Sequence, residues 1–386
     1  MNQTRAALAE DRFASWPKLP ARLALLAFAL LLVMSALVPI TAGKQDIVTK
    51  DFVENLAGTE VPGAERPRDD DLALYDTVIE RIGKGENYYT VVAEEHRRSD
   101  YPVTPGWAVR LPTLAYLAMW LGPVGQMVAA IVLMLAVLKA WWDRLAEEAG
   151  DPRTRRIGLA LVFFGASLGL NRYYFVLHEL WAGMLIALAF GLHRPGRKWG
   201  AALAVTALAL AIREHVFPFV LLLGAMAVWR RNWKEAAAWS VLAVAFVGLL
   251  MAHHHYTALQ VLPTDRPSPA WLEIRGLSGW LSNVALSSNL RFFPHWIAGP
   301  LIVLALLGWA GWRTAAGVFG TLLYLGYGLA FMLAGRPDNF YWGAVVAPVM
   351  FLGLAFAPRA LQSLWRGGAG RCRFHVRGKD SSSRSR

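Results

Sequence analysis

Four polar runs interrupt otherwise apolar sequence: Asp69-Asp70-Asp71, the stretch from Asn171 and Arg172 to His178-Glu179, Arg213-Glu214-His215, and the stretch from Arg291 to His295. Together they offer carboxylates that can accept a proton, imidazoles that can share one, and guanidinium groups that can grip an oxyanion. Some chemistries lack their parts. His178-Glu179 opens a zinc-protease pattern, but Ala182 stands where the second histidine of H-E-x-x-H must be. There is no G-x-x-x-x-G-K-[ST] or G-x-G-x-x-G, so nucleotide hydrolysis and dinucleotide redox are excluded as readings. The one cysteine, Cys372, lies in a basic tail, so no internal disulfide or cysteine metal site can form.

The elements that position these groups are set by lipid. The chain is 56% hydrophobic and only 17% charged, unusual for a water-soluble domain of this length. Ten apolar runs follow, at 21–42, 112–138, 157–170, 180–192, 201–212, 216–229, 236–252, 297–312, 314–334 and 342–357, which puts both termini on one side. With a cytoplasmic N-terminus, inner segments collect most of the 39 Lys/Arg and outer segments most of the 27 Asp/Glu, as the positive-inside rule expects. The net charge of +12 is therefore topological and gives no reason to invoke nucleic acid. The sequence predicts an all-α, polytopic membrane protein of about ten helices. Its expected parts are a cytoplasmic tail over 1–20, a membrane domain over 21–357 with outer loops at 43–111 and 253–296, and a basic, disordered cytoplasmic tail over 358–386 that can touch anionic lipid. The first run exceeds a signal-peptide core and reads as an uncleaved anchor.

Short runs place charge below the surface. Those at 157–170 and 201–212 make roughly 20 Å of helix, against about 30 Å of hydrocarbon. The groups that follow, Asn171, Arg172, His178 and Glu179 in one hairpin and Arg213, Glu214 and His215 in the next, must then face protein or water in a cavity sunk beneath the outer surface. Arg291 to His295, His253-His254-His255, and Arg336 with Asp338 lie at outer helix ends as well. Plainer readings exist for each: Arg213-Glu214 as an ion pair holding the hairpin tip, the histidine run as solvated loop, and the three acids as the start of a helix. Leu72, Tyr75, Val78, Ile79 and Ile82 do recur at helical spacing, which predicts an amphipathic helix on the membrane surface. The D-x-D spacing in 69–71 suits a divalent ion beside a nucleotide sugar, yet it falls outside the cytoplasm, where a lipid-linked donor fits better.

In order along the first outer loop stand Asp71-Leu72-Ala73-Leu74-Tyr75, Gly85-Glu86-Asn87-Tyr88-Tyr89 and Tyr101-Pro102-Val103-Thr104-Pro105. This order resembles the first loop of bacterial polyprenol-phosphate-mannose-dependent mannosyltransferases, members of the GT-C superfamily of membrane glycosyltransferases. The tips His178-Glu179-x-Trp181 and Arg213-Glu214 are similar to that superfamily's short-hairpin pattern. The chain departs in having three successive acids, which leaves the catalytic carboxylate open between Asp70 and Asp71.

The resemblance implies an inverting hexosyltransferase that moves a sugar, mannose or another hexose, from a polyprenyl-phosphate carrier. The acceptor is a glycan, lipid or protein on the outer face of the bacterial inner membrane. Asp71, or Asp70, would take the acceptor's proton. Arg213 and Arg291, then Arg110 and Arg172, would stabilise the leaving phosphate. Glu179, Glu214, His178, His215 and His295 would orient those arginines or hold sugar hydroxyls, with Tyr75, Tyr88, Tyr89 and Tyr101 walling the pocket. The resemblance fixes no cofactor; some members of the superfamily use a divalent metal, and no tight ligand spacing here demands one. The rival class is a secondary transporter or lipid-linked sugar flippase, since polar groups at membrane depth also mark substrate paths. Against it, the charges gather at outer ends and no repeat divides the chain into halves.

Overall fold

A computed structural model describes residues 11–42 and 69–369, so 1–10, 43–68 and 370–386, with Cys372 and the start of the expected outer loop, lie outside the described residues. Among the described residues the chain is helical throughout, with no strand and only isolated bridges at Thr104–Pro267 and Arg194–Lys198.

The long apolar helices form where hydropathy requires. They are α1 (Lys18–Leu37), α4 (Thr113–Glu148), α9 (Trp233–Ala258) and α12 (Ala315–Leu333). These four are long and apolar enough to cross a membrane, and a fifth span results if the bent pair Ala347–Ala355 and Ala357–Ala369 counts as one. Side chains such as Leu26, Leu30, Val244 and Leu249 stand fully outward on this group, as a multi-pass membrane protein shows where lipid replaces water. Within α4, Gly122 takes a positive φ of 61° next to Pro123, a break that glycine tolerates and proline reinforces.

Between the long helices lie α5 (Pro152–Ala166), α6 (His178–Leu192), α7 (Gly200–Ile212), α8 (Phe217–Trp229) and α11 (His295–Gly311). Their core is aromatic: Trp309 packs with Trp141, Phe190 and Tyr324, and its indole donates to the Met350 carbonyl at 2.8 Å. Between α1 and α4 in the chain, α2 (Asp70–Gly83) and α3 (Tyr88–Arg98) form a hairpin with its own small core of Val78, Ile82, Tyr88, Val91 and Val92. Arg81 of α2 fastens it, reaching Glu94 at 2.7 Å and Glu95 at 2.8 Å.

Three stretches differ from the sequence reading. The tenth apolar run is no continuous helix: Pro337–Val345 and Phe351–Ala355 are 3-10 turns on either side of a short α13 (Ala347–Met350). Residues 343–353 are buried, and irregular backbone at membrane depth is tolerable where protein encloses it. Inside the expected outer loop 253–296, His253 to Ala258 complete α9, and α10 (Gly276–Leu286) is a buried helix whose serines and Asn283 dilute its hydropathy. The beginning of the tail expected to be disordered forms an amphipathic α14 (Ala357–Ala369), whose Ala360 and Leu364 pack on Phe13, Ala21 and Leu307. Arg22 donates to the Gly368 carbonyl at 2.8 Å and holds α14 against α1.

Candidate functional site

The first carboxylates of α2 lie in its opening turn, where the helix dipole favours negative charge. Asp69 is the N-cap but makes no side-chain cap bond; its backbone N–H donates to the Tyr173 hydroxyl at 3.3 Å. Asp69 and Asp70 are exposed, whereas Asp71 is half-buried. The difference follows from α2 docking its apolar face, with Leu72, Tyr75 and Val78, onto the protein. Asp71 pairs with Tyr101: burial, then the side-chain hydrogen bond to Asp71 and the nearby carboxylates, push the Tyr101 phenol above its ordinary value. One helical turn on, the buried Tyr75 hydroxyl accepts the Arg110 backbone N–H at 3.4 Å, and its ring meets His178 edge-on at 5.3 Å.

Beneath Tyr75 lies the charge cluster. α6 begins at His178, so Glu179 sits in its first turn, fully enclosed. α7 stops at Ile212 and α8 begins at Phe217, joined by extended Arg213 and a 3-10 turn from Glu214 to Val216. That tight reversal carries Arg213 Nε to 2.8 Å from Glu179 Oε1 and its Nη1 to 2.5 Å from Glu214 Oε1. The N–H directions do not follow these lines, so the contacts are ionic rather than directed hydrogen bonds. Arg110 adds a third arm, with Nη1 3.5 Å from Glu179 Oε1 and Nη2 donating to the Tyr341 hydroxyl at 2.9 Å. His215 closes the cluster, with Nε2 3.7 Å from Glu214 Oε1 and its ring 4.6 Å from that of Trp342. The Tyr327 hydroxyl donates to its carbonyl at 2.5 Å.

Tyr341 and Trp342 reach this place because the 337–345 stretch lies directly on α6 and α10. A Cβ on Gly183 would come within 2.0 Å of the Ala344 carbonyl, and one on Gly343 within 1.9 Å of the Asn283 carbonyl. Asn339 secures the turn: its Oδ1 accepts from Arg336 N at 3.2 Å and its Nδ2 reaches the Tyr341 hydroxyl at 3.4 Å.

From His215 and Trp342 an apolar groove of about 260 Å³ runs between α8 and α12, lined by Leu222, Leu322, Leu323, Gly326 and Ala330. One end is thus polar and the remainder is greasy.

The structure brings together Asp71, Tyr75, Tyr101, Arg110, His178, Glu179, Arg213, Glu214 and His215. His178 directs Nε2 at the Leu111 carbonyl at 3.3 Å, which locks it as a brace under the loop. Asp70 points outward, and Arg172 is exposed on its turn. Arg291 lies beside Tyr174, donating to its hydroxyl at 2.9 Å, and His295 is exposed at the start of α11. Tyr88 is buried and donates to the Arg110 carbonyl at 2.7 Å, so it braces the loop instead of walling an open pocket. The histidine run lies on the last turns of α9, with His253 between the Val109 carbonyl at 3.2 Å and Tyr89 at 3.3 Å. Tyr341, Asn339 and Trp342 were not among the sequence candidates; hydropathy places Trp342 in the 342–357 run and gives Asn339 and Tyr341, just before it, no polar task. Among the described residues no group of three or more His, Cys, Asp or Glu side chains is arranged to hold a metal ion.

No protein-family model, curated protein or solved structure matches the chain.

Proposed function

We propose that the chain is a membrane glycosyltransferase that moves a sugar, with inversion, from a polyprenyl-phosphate carrier to a hydroxyl acceptor on the outer face of a bacterial inner membrane. One observation carries the reading: a half-buried carboxylate, Asp71, stands over an enclosed arginine–glutamate cluster that opens into an apolar groove. Soluble sugar donors have no use for such a groove, whereas a lipid-linked donor presents both a polar head and a long apolar tail. The loop motifs that resemble the GT-C superfamily supply the substrate class.

In this reading α5 to α8 and α11 complete a set of about ten spans, their short lengths letting the outer ends stop below the surface. Asp71 takes the proton of the acceptor hydroxyl as its oxygen attacks the anomeric carbon. The bond from that carbon to the phosphate oxygen breaks on the opposite face, and the electron pair leaves with the lipid phosphate. Tyr101 orients the Asp71 carboxylate. Glu179 and Glu214 hold Arg110 and Arg213 in place, so the polar floor is preorganised before substrate arrives.

The test is direct. Purified protein in nanodiscs is incubated with a panel of radiolabelled polyprenyl-phosphate hexoses, and loss of label from the lipid is followed with and without added glycan acceptors. Acceptor-dependent release supports the transferase. Movement of intact labelled lipid across proteoliposomes with no glycosidic product would establish the flippase instead.

A further inference from the structure

A leaving phosphate needs positive charge, and the central cluster has none to spare. Arg110 and Arg213 face Glu179 and Glu214, two cations against two anions in one enclosure. An anion arriving there would meet a neutral site and two carboxylates, Glu179 buried and Glu214 half-buried.

A second pair of arginines stands at the outer end of the groove. Arg275, just before α10, donates from its backbone to the Met332 carbonyl at 3.0 Å and from Nη1 to the Arg336 carbonyl at 3.2 Å. Arg336 follows α12 directly after Gly335, which packs against the Trp342 ring. Three donors here are shielded from solvent and have no acceptor: Arg275 Nη2, Arg336 Nη1 and Trp342 Nε1. Buried donors are nearly always satisfied, so three open ones on residues linked by the Arg275–Arg336 bond and the Gly335–Trp342 approach point to a missing acceptor. The available acids do not fill it. Asp338 meets Arg336 through Nε at 3.3 Å and Nη2 at 3.5 Å, on the exposed side, and Glu273 is exposed. Trp342 also lines the groove together with Phe331 and Ala334, so the open donors and the apolar channel share a wall.

We propose that Arg275, Arg336 and the Trp342 indole N–H form the seat for the phosphate of the lipid-linked donor, with its isoprenoid tail in the groove between α8 and α12. This rests on the transferase reading and deepens it by moving the phosphate contact away from Arg213. The anomeric carbon would then lie between this seat and Asp71, bridged by Tyr341. Asn339 links the two sides, since it accepts from Arg336 N and reaches Tyr341. The seat is for a polyprenyl phosphate; a glycerophospholipid is the competing occupant in the test.

Arg275→Gln, Arg336→Gln and the double variant are assayed in nanodiscs for donor KM, acceptor KM and kcat. Native mass spectrometry reads binding of sugar-free polyprenyl phosphate, with phosphatidylglycerol as competitor. Each single variant should raise donor KM about tenfold or more with acceptor KM unchanged, as loss of a charged hydrogen bond implies. Arg336→Lys should recover part of the loss. Trp342→Phe keeps the ring and removes only the donor, so it still tests the seat if an arginine variant fails to fold, and it should also raise donor KM. Donor KM within about twofold of wild type in folded double variant and in Trp342→Phe overturns the seat. Displacement of polyprenyl phosphate by an equal amount of phosphatidylglycerol overturns it too. Wild-type protein that binds polyprenyl phosphate through these arginines but releases no sugar would keep the seat and remove the transferase. Active protein whose donor KM ignores them would do the reverse.

Discussion

The Arg110 guanidinium donates to the Tyr341 hydroxyl at 2.9 Å, joining residues 231 positions apart. Arg110 belongs to the outer loop that carries Asp71, and Tyr341 to the irregular stretch before α13. Their bond is one of several that tie the loop to the helices, and the same hydroxyl receives Asn339 at 3.4 Å.

Tyr341→Phe removes one acceptor and strands two donors. Turnover of the lipid-linked donor should fall about tenfold to a hundredfold with the fold retained, as expected for a hydrogen bond to a charged group. Wild-type turnover in a steady-state label-release assay would mean that the loop is tied elsewhere.

Asp71→Asn preserves shape and removes the proposed base. Transfer should drop by about a hundredfold or more, the range for loss of general-base catalysis. Asp70→Asn, on the exposed side of the same turn, should retain most activity. If single-turnover measurements reverse this order, the base is Asp70.

Glu179→Gln leaves Arg110 and Arg213 enclosed with one carboxylate between them. Breaking a buried pair from one side costs about 3–5 kcal/mol, so the melting temperature in detergent should fall well below wild type. Glu179→Gln with Arg213→Gln should recover part of the loss, since the charges leave together. A single variant that melts at the wild-type temperature would show that charge balance here is dispensable.

The hairpin of α2 and α3 should weaken in acid. Burial first, then the nearby Arg110 charge, pulls His96 down to about 4, against the Pro102 carbonyl that accepts its Nδ1–H at 2.9 Å. Between about pH 6.5 and that value the unfolded hairpin binds a proton that the folded one refuses, so stability is complete above pH 6.5 and declines as pH falls toward 4. The full effect is about 3 kcal/mol. Hydrogen exchange of α2 and α3 at pH 7.5 and pH 5 should reveal it, and His96→Phe should flatten the difference. Equal protection at both pH values in wild type would sink the argument.

Some of this was legible in the sequence. The long helices were, because unbroken apolar runs leave little choice in lipid. The meeting of Glu179 with Arg213 was also in reach, since two short hairpins must end at similar depth. Asp71 and Tyr101 share a loop, and their facing positions follow from the apolar stripe of α2. Arg275, Asn339, Tyr341 and Trp342 were hidden for a different reason. Hydropathy assigns 342–357 to a span and 275 to a loop, and only the close approaches at Gly183 and Gly343 fold that stretch onto the site. α10 was missed because its environment is other helices, so its serines carry no lipid penalty. The amphipathic face of α14 was masked by the Arg, Gly and Ser composition around it.

The two outer segments are stitched at several points. Arg97 grips Asp265 at 2.7 Å and the Gln260 carbonyl at 2.5 Å, Arg266 meets Asp100 at 2.7 Å, and Ser268 N donates to the Thr104 carbonyl at 2.9 Å. The two segments therefore behave as one plate, because parting them means breaking all of these bonds together. None of these bonds involves a residue that lines the groove between α8 and α12. If the groove takes a lipid tail, as proposed, exchange of that tail would set the pace of repeated cycles while the plate stays intact.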